Sequence, residues 1–282
     1  SSAASDVYKR QANGKEGKNM AIGVCGNLDM ARLAANVGFD FIEMRVADLL
    51  MPLAEEKSFI ARWEELRQSG VPCLAVNCFL PSTLKVTGSA IDHTALESFG
   101  AIAIKRAAIA GVKTIVFGSG GARHIPDGFD RGVARQQFVD YCRYLAPLAE
   151  REGVTIAIEP LTHRECNFIN TVAEGAEIVR EVAKPAVRLL VDSYHWGTNG
   201  EELETLVRHG GLISHVHVST LPNRKPPASE PWDPAPFLSA LKRGGCQANI
   251  SIEAAFCDAE KELVSALAEL RRAQLACADC KS

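Results

Sequence analysis

The chain contains no stretch of roughly 18 consecutive apolar residues, so no segment is fit to cross a bilayer as a helix. It carries little excess charge. The formal net charge is -3 and the pI about 6.2, which gives no global attraction to nucleic acid or to a membrane surface. It lacks a disulfide framework: the nine cysteines are odd in number, and most lie inside apolar runs, as reduced cytoplasmic thiols do. Cys277 and Cys280 form a C-x-x-C pair, but no second pair or nearby histidine completes a zinc site. The glycine-rich "FGSGGAR" fits neither G-x-G-x-x-G nor a phosphate loop ending in GK[ST], so nothing points to a nucleotide fold. The first 19 residues are polar and lack an apolar h-region. They read as a disordered extension rather than a secretory leader, with one catalytic domain over residues 20–282.

What is present is a hydrophobic fraction of 47%, enough for a large core, and a regular alternation of short β-rich runs with longer helix-period runs. Strands are expected at 21–25, 40–44, 72–79, 113–118, 155–160, 187–193, 214–219 and 248–254. Helices are expected between them, the last over 258–276. Gly70, Gly111 and Gly153 stand where left-handed helix caps are needed. Eight strand–helix pairs in about 260 residues predict a single α/β domain, a (β/α)8 TIM barrel, with a doubly wound open sheet as the competing topology.

Barrel strands alternate between the interior and the helix layer. In "TIAIE", "RLLVD", "ISHVHV" and "NISIE" the isoleucine, leucine and valine pattern turns Glu159, Asp192, Ile213, His215, His217 and Glu253 inward. Four successive strands thus end, on the face where barrel enzymes keep their active sites, with Glu159, Asp192, His217 and Glu253. Three close carboxylates need a cation to stay ionised together. Three oxygen donors and one imidazole, with no thiolate, suit Mn²⁺ best, then Mg²⁺ or Co²⁺. His215 lies one layer deeper and reads as a hydrogen-bonded core histidine.

Other polar residues carry two readings each. Glu43 binds a remote substrate hydroxyl or pairs with Arg45 or Arg123. The glycines of "GSGGAR" form an anion nest with Arg123, or serve a tight loop with positive φ. Trp196 offers a pocket wall, and Trp232 stands in a proline-rich loop able to cover the barrel mouth.

The segments "IAIEPLTHREC", "LLVDSYHW", "HVHVSTLPNR" and "SIEA" resemble the xylose-isomerase-like barrel superfamily, in its branch of sugar isomerases and ketose 3-epimerases. The resemblance runs from Met20 to about Leu275. It implies that Glu159, Asp192, His217 and Glu253 bind one divalent metal. It also implies that Glu165 and His195 bind substrate, and that Arg224 does so at a spacing one residue longer than in the family. The implied reaction is proton transfer on a ketose or related keto-sugar through a cis-enediolate, with Glu159 and Glu253 as the acid/base pair. The implied assembly is a homodimer or homotetramer. A lyase or dehydratase acting on a keto-inositol or 3-keto-glycoside shares this scaffold, and a non-catalytic sugar-binding barrel is the third reading. The AP-endonuclease branch needs further histidines at the ends of strands 3 and 4. Those ends read "AVNCF" and "IVFGSG", which argues against DNA repair.

Overall fold

A computed structural model describes residues 20–278. The polar extension and Cys280 lie outside the described residues. Eight parallel strands close into a barrel in sequence order. They are β1 (Ile22–Cys25), β2 (Phe41–Arg45), β3 (Cys73–Asn77), β4 (Thr114–Phe117), β5 (Thr155–Ile158), β6 (Val187–Asp192), β7 (Ile213–Val218) and β8 (Asn249–Ile252). The open-sheet alternative is thereby set aside. Seven of the intervening helices are α1 (Leu28–Val37), α2 (Val46–Leu49), α3 (Glu56–Arg67), α4 (His93–Ala110), α5 (Gly120–Arg123), α6 (Arg131–Glu152) and α7 (Val172–Val182). They are followed by α8 (Ser193–Thr198), α9 (Leu203–His209), α10 (Ala235–Arg243) and α11 (Ala259–Ala278). The short helices α2 and α8 directly follow strands, two residues separate α5 from β4, and none of the three is apparent in the sequence.

Local chemistry explains the boundaries. Asn27 caps α1 by accepting from Asp29 N and Met30 N, and Thr171 and Glu174 form a reciprocal capping box on α7. Gly111 and Gly153 take the left-handed cap conformation as expected. Gly70 does not cap α3; Gln68 does, and Gly70 turns the chain two residues later.

The main core lies between strands and helices, and a separate small apolar layer of Val116, Ala157 and Leu190 lies apart from it. Phe41 is also fully buried; a Cβ on Gly23 would come within 2.4 Å of its ring, so that strand position needs glycine. One expected orientation is wrong. Leu189 pairs with Ile213, but Leu190 pairs with His215, so Ser214 is an extra residue in β7. This bulge turns Ile213 into the helix-side core while His215 and His217 keep the inward face.

Candidate metal centre and its surroundings

Glu159 follows β5, Asp192 ends β6, His217 lies in β7 and Glu253 follows β8. Each offers one ligand atom, and the four atoms lie within 4.8 Å of one another. Register brings two of them side by side, because Asp192 pairs with His217. His217 Nδ1 lies 3.0 Å from Glu253 Oε2 and 3.2 Å from Glu159 Oε1. Only a glycine fits at position 118, where a Cβ would come within 2.3 Å of Glu159 Oε2.

The sequence-predicted substrate residues gather around this cluster. Arg224 Nη2 donates to Asp192 Oδ2 at 3.0 Å and to Glu253 Oε2 at 2.6 Å, and its guanidinium stacks over Tyr194 at 5.0 Å. Arg224 Nη1 also lies 3.6 Å from Glu165 Oε1. The altered loop spacing therefore still delivers the arginine. His195 Nδ1 accepts from Thr162 N at 3.2 Å, which leaves the proton on Nε2, 3.5 Å from Asp192 Oδ2. Tyr194 and Thr162 carry no sequence signal of their own and are recognised only by these contacts.

Electrostatics follow from burial and neighbours. Burial pushes the Glu253 carboxyl up, but His217 and Arg224 overcome it and hold it at about 2. Asp192 is raised by burial despite His195 and Arg224. Burial opposes protonation of His217, yet the Glu43 and Glu253 carboxylates hold it well above the ordinary imidazole value. The set therefore concentrates negative charge on hard oxygen donors beside one imidazole. A divalent cation fits this chemistry and would take the place of the imidazole proton.

Two expectations are corrected. Glu43 reaches neither Arg45 nor Arg123. It is fully buried and accepts from His217 Nε2 at 2.8 Å and His215 Nε2 at 2.7 Å. Arg123 forms no anion nest. It is fully buried and donates to the carbonyls of Phe117 (3.1 Å), Glu159 (2.8 Å) and Ile169 (3.2 Å). The positive φ in that loop belongs to Ser119, at 40°, while Gly118 and Gly121 are small because Glu159 and Ser82 approach them. Trp196 packs against Phe237 on α10, ring centroids 5.4 Å apart. His215 is the hydrogen-bonded interior histidine that was expected.

A cavity of about 460 Å³ opens between the segments that follow β2 and β3. Arg45 and Cys78 line it beside Met51, Leu53, Phe79 and Phe99. Burial is the main reason that the Cys78 thiol rises to about 11, and the Glu253 and Glu159 carboxylates add to it.

A closed parallel barrel with a carboxylate–imidazole cluster over the ends of four adjacent strands is the layout of a metal-dependent barrel enzyme. The chain belongs to the xylose isomerase-like TIM barrel family, whose model matches residues 31–273. It is 25% identical over 231 residues to an inosose isomerase of Bacillus velezensis, covering 77% of this chain and 79% of that one. It is 26% identical over 206 residues to the D-psicose 3-epimerase of Agrobacterium fabrum, covering 70% and 69%. A match to a putative hydroxypyruvate isomerase of Xenopus laevis, 28% identical, spans 38% of this chain and only 42% of that protein. Among solved structures, a Methylomonas sp. D-allulose 3-epimerase in complex with D-allulose superposes with a TM-score of 0.77 at 20% identity, over 90% of this chain and 97% of that one. The IOLI protein, solved with a zinc atom, superposes with a TM-score of 0.68 at 22% identity, over 92% and 98%. At these identities the two structures establish the fold alone. Among the described residues no helix is long and apolar enough to cross a membrane.

Proposed function

We propose that the protein is a divalent-metal-dependent isomerase or epimerase of a ketose or related keto-sugar. The single observation that carries this reading is the convergence of Glu159, Asp192, His217 and Glu253 within 4.8 Å, with Arg224, His195 and Glu165 gathered around them. Those four residues would hold the ion, and the donor set favours Mn²⁺, with Mg²⁺ or Co²⁺ next. When bound, the ion supplies Lewis-acid polarisation of the substrate carbonyl, which acidifies the adjacent C–H.

The chain's own residues then do the rest. Glu253 is half-buried rather than sealed, and in this reading it accepts the proton from substrate carbon. Glu159 is the partner that returns a proton; use of opposite faces inverts the centre, and use of one face moves the carbonyl. Arg224 and the Nε2–H of His195 donate to the carbonyl-side oxygens, and the partly exposed Glu165 accepts from a distal hydroxyl. A cytoplasmic homodimer or homotetramer completes the proposal, with light scattering as its check.

The apolar cavity favours a second reading. Room for a bulky group at the ends of β2 and β3, on the barrel face that carries the cluster, suits a lyase or dehydratase on a keto-inositol or 3-keto-glycoside. The two are separated by incubating metal-stripped, Mn²⁺-reloaded protein with ketoses, keto-inositols and 3-keto-glycosides in D₂O under NMR. The first reading expects solvent deuterium at one carbon of an inverted or isomerised product. It expects the rate to fall by about 10²–10⁴-fold in Glu253→Gln. Release of water or an aglycone establishes the second. Metal binding without exchange on any candidate removes both and restores a sugar-binding barrel.

A further inference from the structure

We propose that Glu43 is a positioning residue that fixes which nitrogen of His217 faces the metal, an inference that rests on the metal-centre reading above. His217 presents its two nitrogens to different partners. Nδ1 lies 3.0 Å from Glu253 Oε2 and 3.2 Å from Glu159 Oε1, on the side of the ligand cluster. Nε2 lies 2.8 Å from Glu43 Oε1, on the opposite side. An ionised carboxylate only accepts, so the nitrogen that meets Glu43 carries a proton. Nδ1 meets carboxylates as well, so without a cation both nitrogens carry protons. A cation in the cluster would replace the Nδ1 proton, while Glu43 keeps the one on Nε2 and so leaves Nδ1 as the ligand.

Glu43 is itself fastened. Its Oε2 accepts from His215 Nε2 at 2.7 Å and from Ser251 Oγ at 2.6 Å. Three donors from β7 and β8 thus converge on one carboxylate of β2 that has no solvent exposure. This answers why two histidines alternate in β7: His217 meets the cluster, and His215 holds the group that orients His217. Cys25, Glu43 and His217 also stand close enough to suggest a second cation site. That alternative competes with the hydrogen bonding around Glu43. Both Glu43 oxygens already accept hydrogen bonds, and a cation on Nε2 would displace the proton that makes one of them. An isolated carboxylate in a barrel interior is costly to bury. An apolar residue would fill the same volume, so the carboxylate has a role that packing does not require.

The test titrates Zn²⁺ into metal-stripped wild-type, Glu43→Gln and Glu43→Asp proteins by calorimetry, and records the absorption spectra of their Co²⁺ forms. We expect Glu43→Gln to bind about 10–100-fold more weakly, with an altered Co²⁺ spectrum, and Glu43→Asp to recover part of the loss. Circular dichroism of the metal-free proteins checks folding. If Glu43→Gln does not fold, ¹⁵N-histidine NMR of Zn²⁺-loaded wild type decides, with His217 expected to be protonated at Nε2. A folded Glu43→Gln with wild-type affinity and spectrum overturns the inference, as does a proton on Nδ1. Failure of the wild-type protein to bind any cation instead overturns the metal-centre reading beneath it.

Discussion

The loops after β4 and β7 each bring one arginine to a residue of the ligand cluster, and they use it in opposite ways. Arg123 turns inward and grips main chain: the carbonyls of Phe117, Glu159 and Ile169. Arg224 turns to the mouth and grips side chains: the carboxylates of Asp192 and Glu253. A guanidinium that meets neutral carbonyls with no exposure acts as a fixed strut for the backbone of Glu159. One that meets carboxylates with its side chain 27% exposed is open to exchange partners with an incoming substrate. The partner chemistry, more than the presence of an arginine near the site, separates architecture from function.

The comparison breaks most visibly at Arg123. Arg123→Met takes a donor from three buried carbonyls. Phe117 O keeps Glu159 N and Ile169 O keeps Leu161 N, so the carbonyl of Glu159 carries the main loss, about 1–3 kcal/mol. Urea unfolding should show a loss of about 1–3 kcal/mol, with weaker metal binding because the main chain of Glu159 is no longer held. A loss of less than about 1 kcal/mol would mean that the carbonyls find other donors and that the strut description is wrong.

Arg224→Met should do the reverse. Its ion pairs are partly solvated, so stability should change by no more than about 1 kcal/mol. Loss of the donors to substrate should lower kcat/KM by about 10²–10³-fold on whichever substrate the exchange screen finds. Metal affinity should hold or rise, because a positive charge beside the carboxylates is gone. Arg224→Lys sharpens the point: it restores charge without the planar fork, so activity should recover only in part. A parallel fall in stability and metal affinity would make Arg224 a second strut.

The sequence made the barrel and the convergence of Glu159, Asp192, His217 and Glu253 legible because both depend on local period. Alternation within each strand decides which face a residue takes, and β5 to β8 end in the same chemistry. Two things escaped it. The bulge at Ser214 adds one residue and reverses Ile213 alone, which no alternation reveals in advance. The partners of Glu43 lie 172, 174 and 208 residues away, so no spacing rule connects them. The contacts that define both arginines are made to the ends of neighbouring strands and to their loops, which the glycines around Arg123 do not reveal.

The smallest effect concerns a third charged side chain that, like Arg123, meets main chain. Glu201, in the segment after α8, accepts from Val172 N at 3.1 and 2.9 Å through its two oxygens, at the start of α7. Burial pushes its carboxyl up to about 7; the Val172 N–H opposes this and the Glu174 carboxylate adds to it. The sign follows from linkage. Below an ordinary value of 4.5 the carboxyl is protonated in folded and unfolded chains alike, and its contribution is fully present. Between there and about 7 the folded chain keeps a proton that the unfolded chain has lost, so stability falls as pH rises. Glu201→Gln lacks this ionisation. Its melting temperature relative to wild type should therefore climb as pH is raised through that window and level off above it. Neither metal affinity nor the rate on substrate should move, since Glu201 serves a helix end and not the cluster. A relative melting temperature that falls with pH would show that the helix N-terminus, rather than burial, governs this carboxylate.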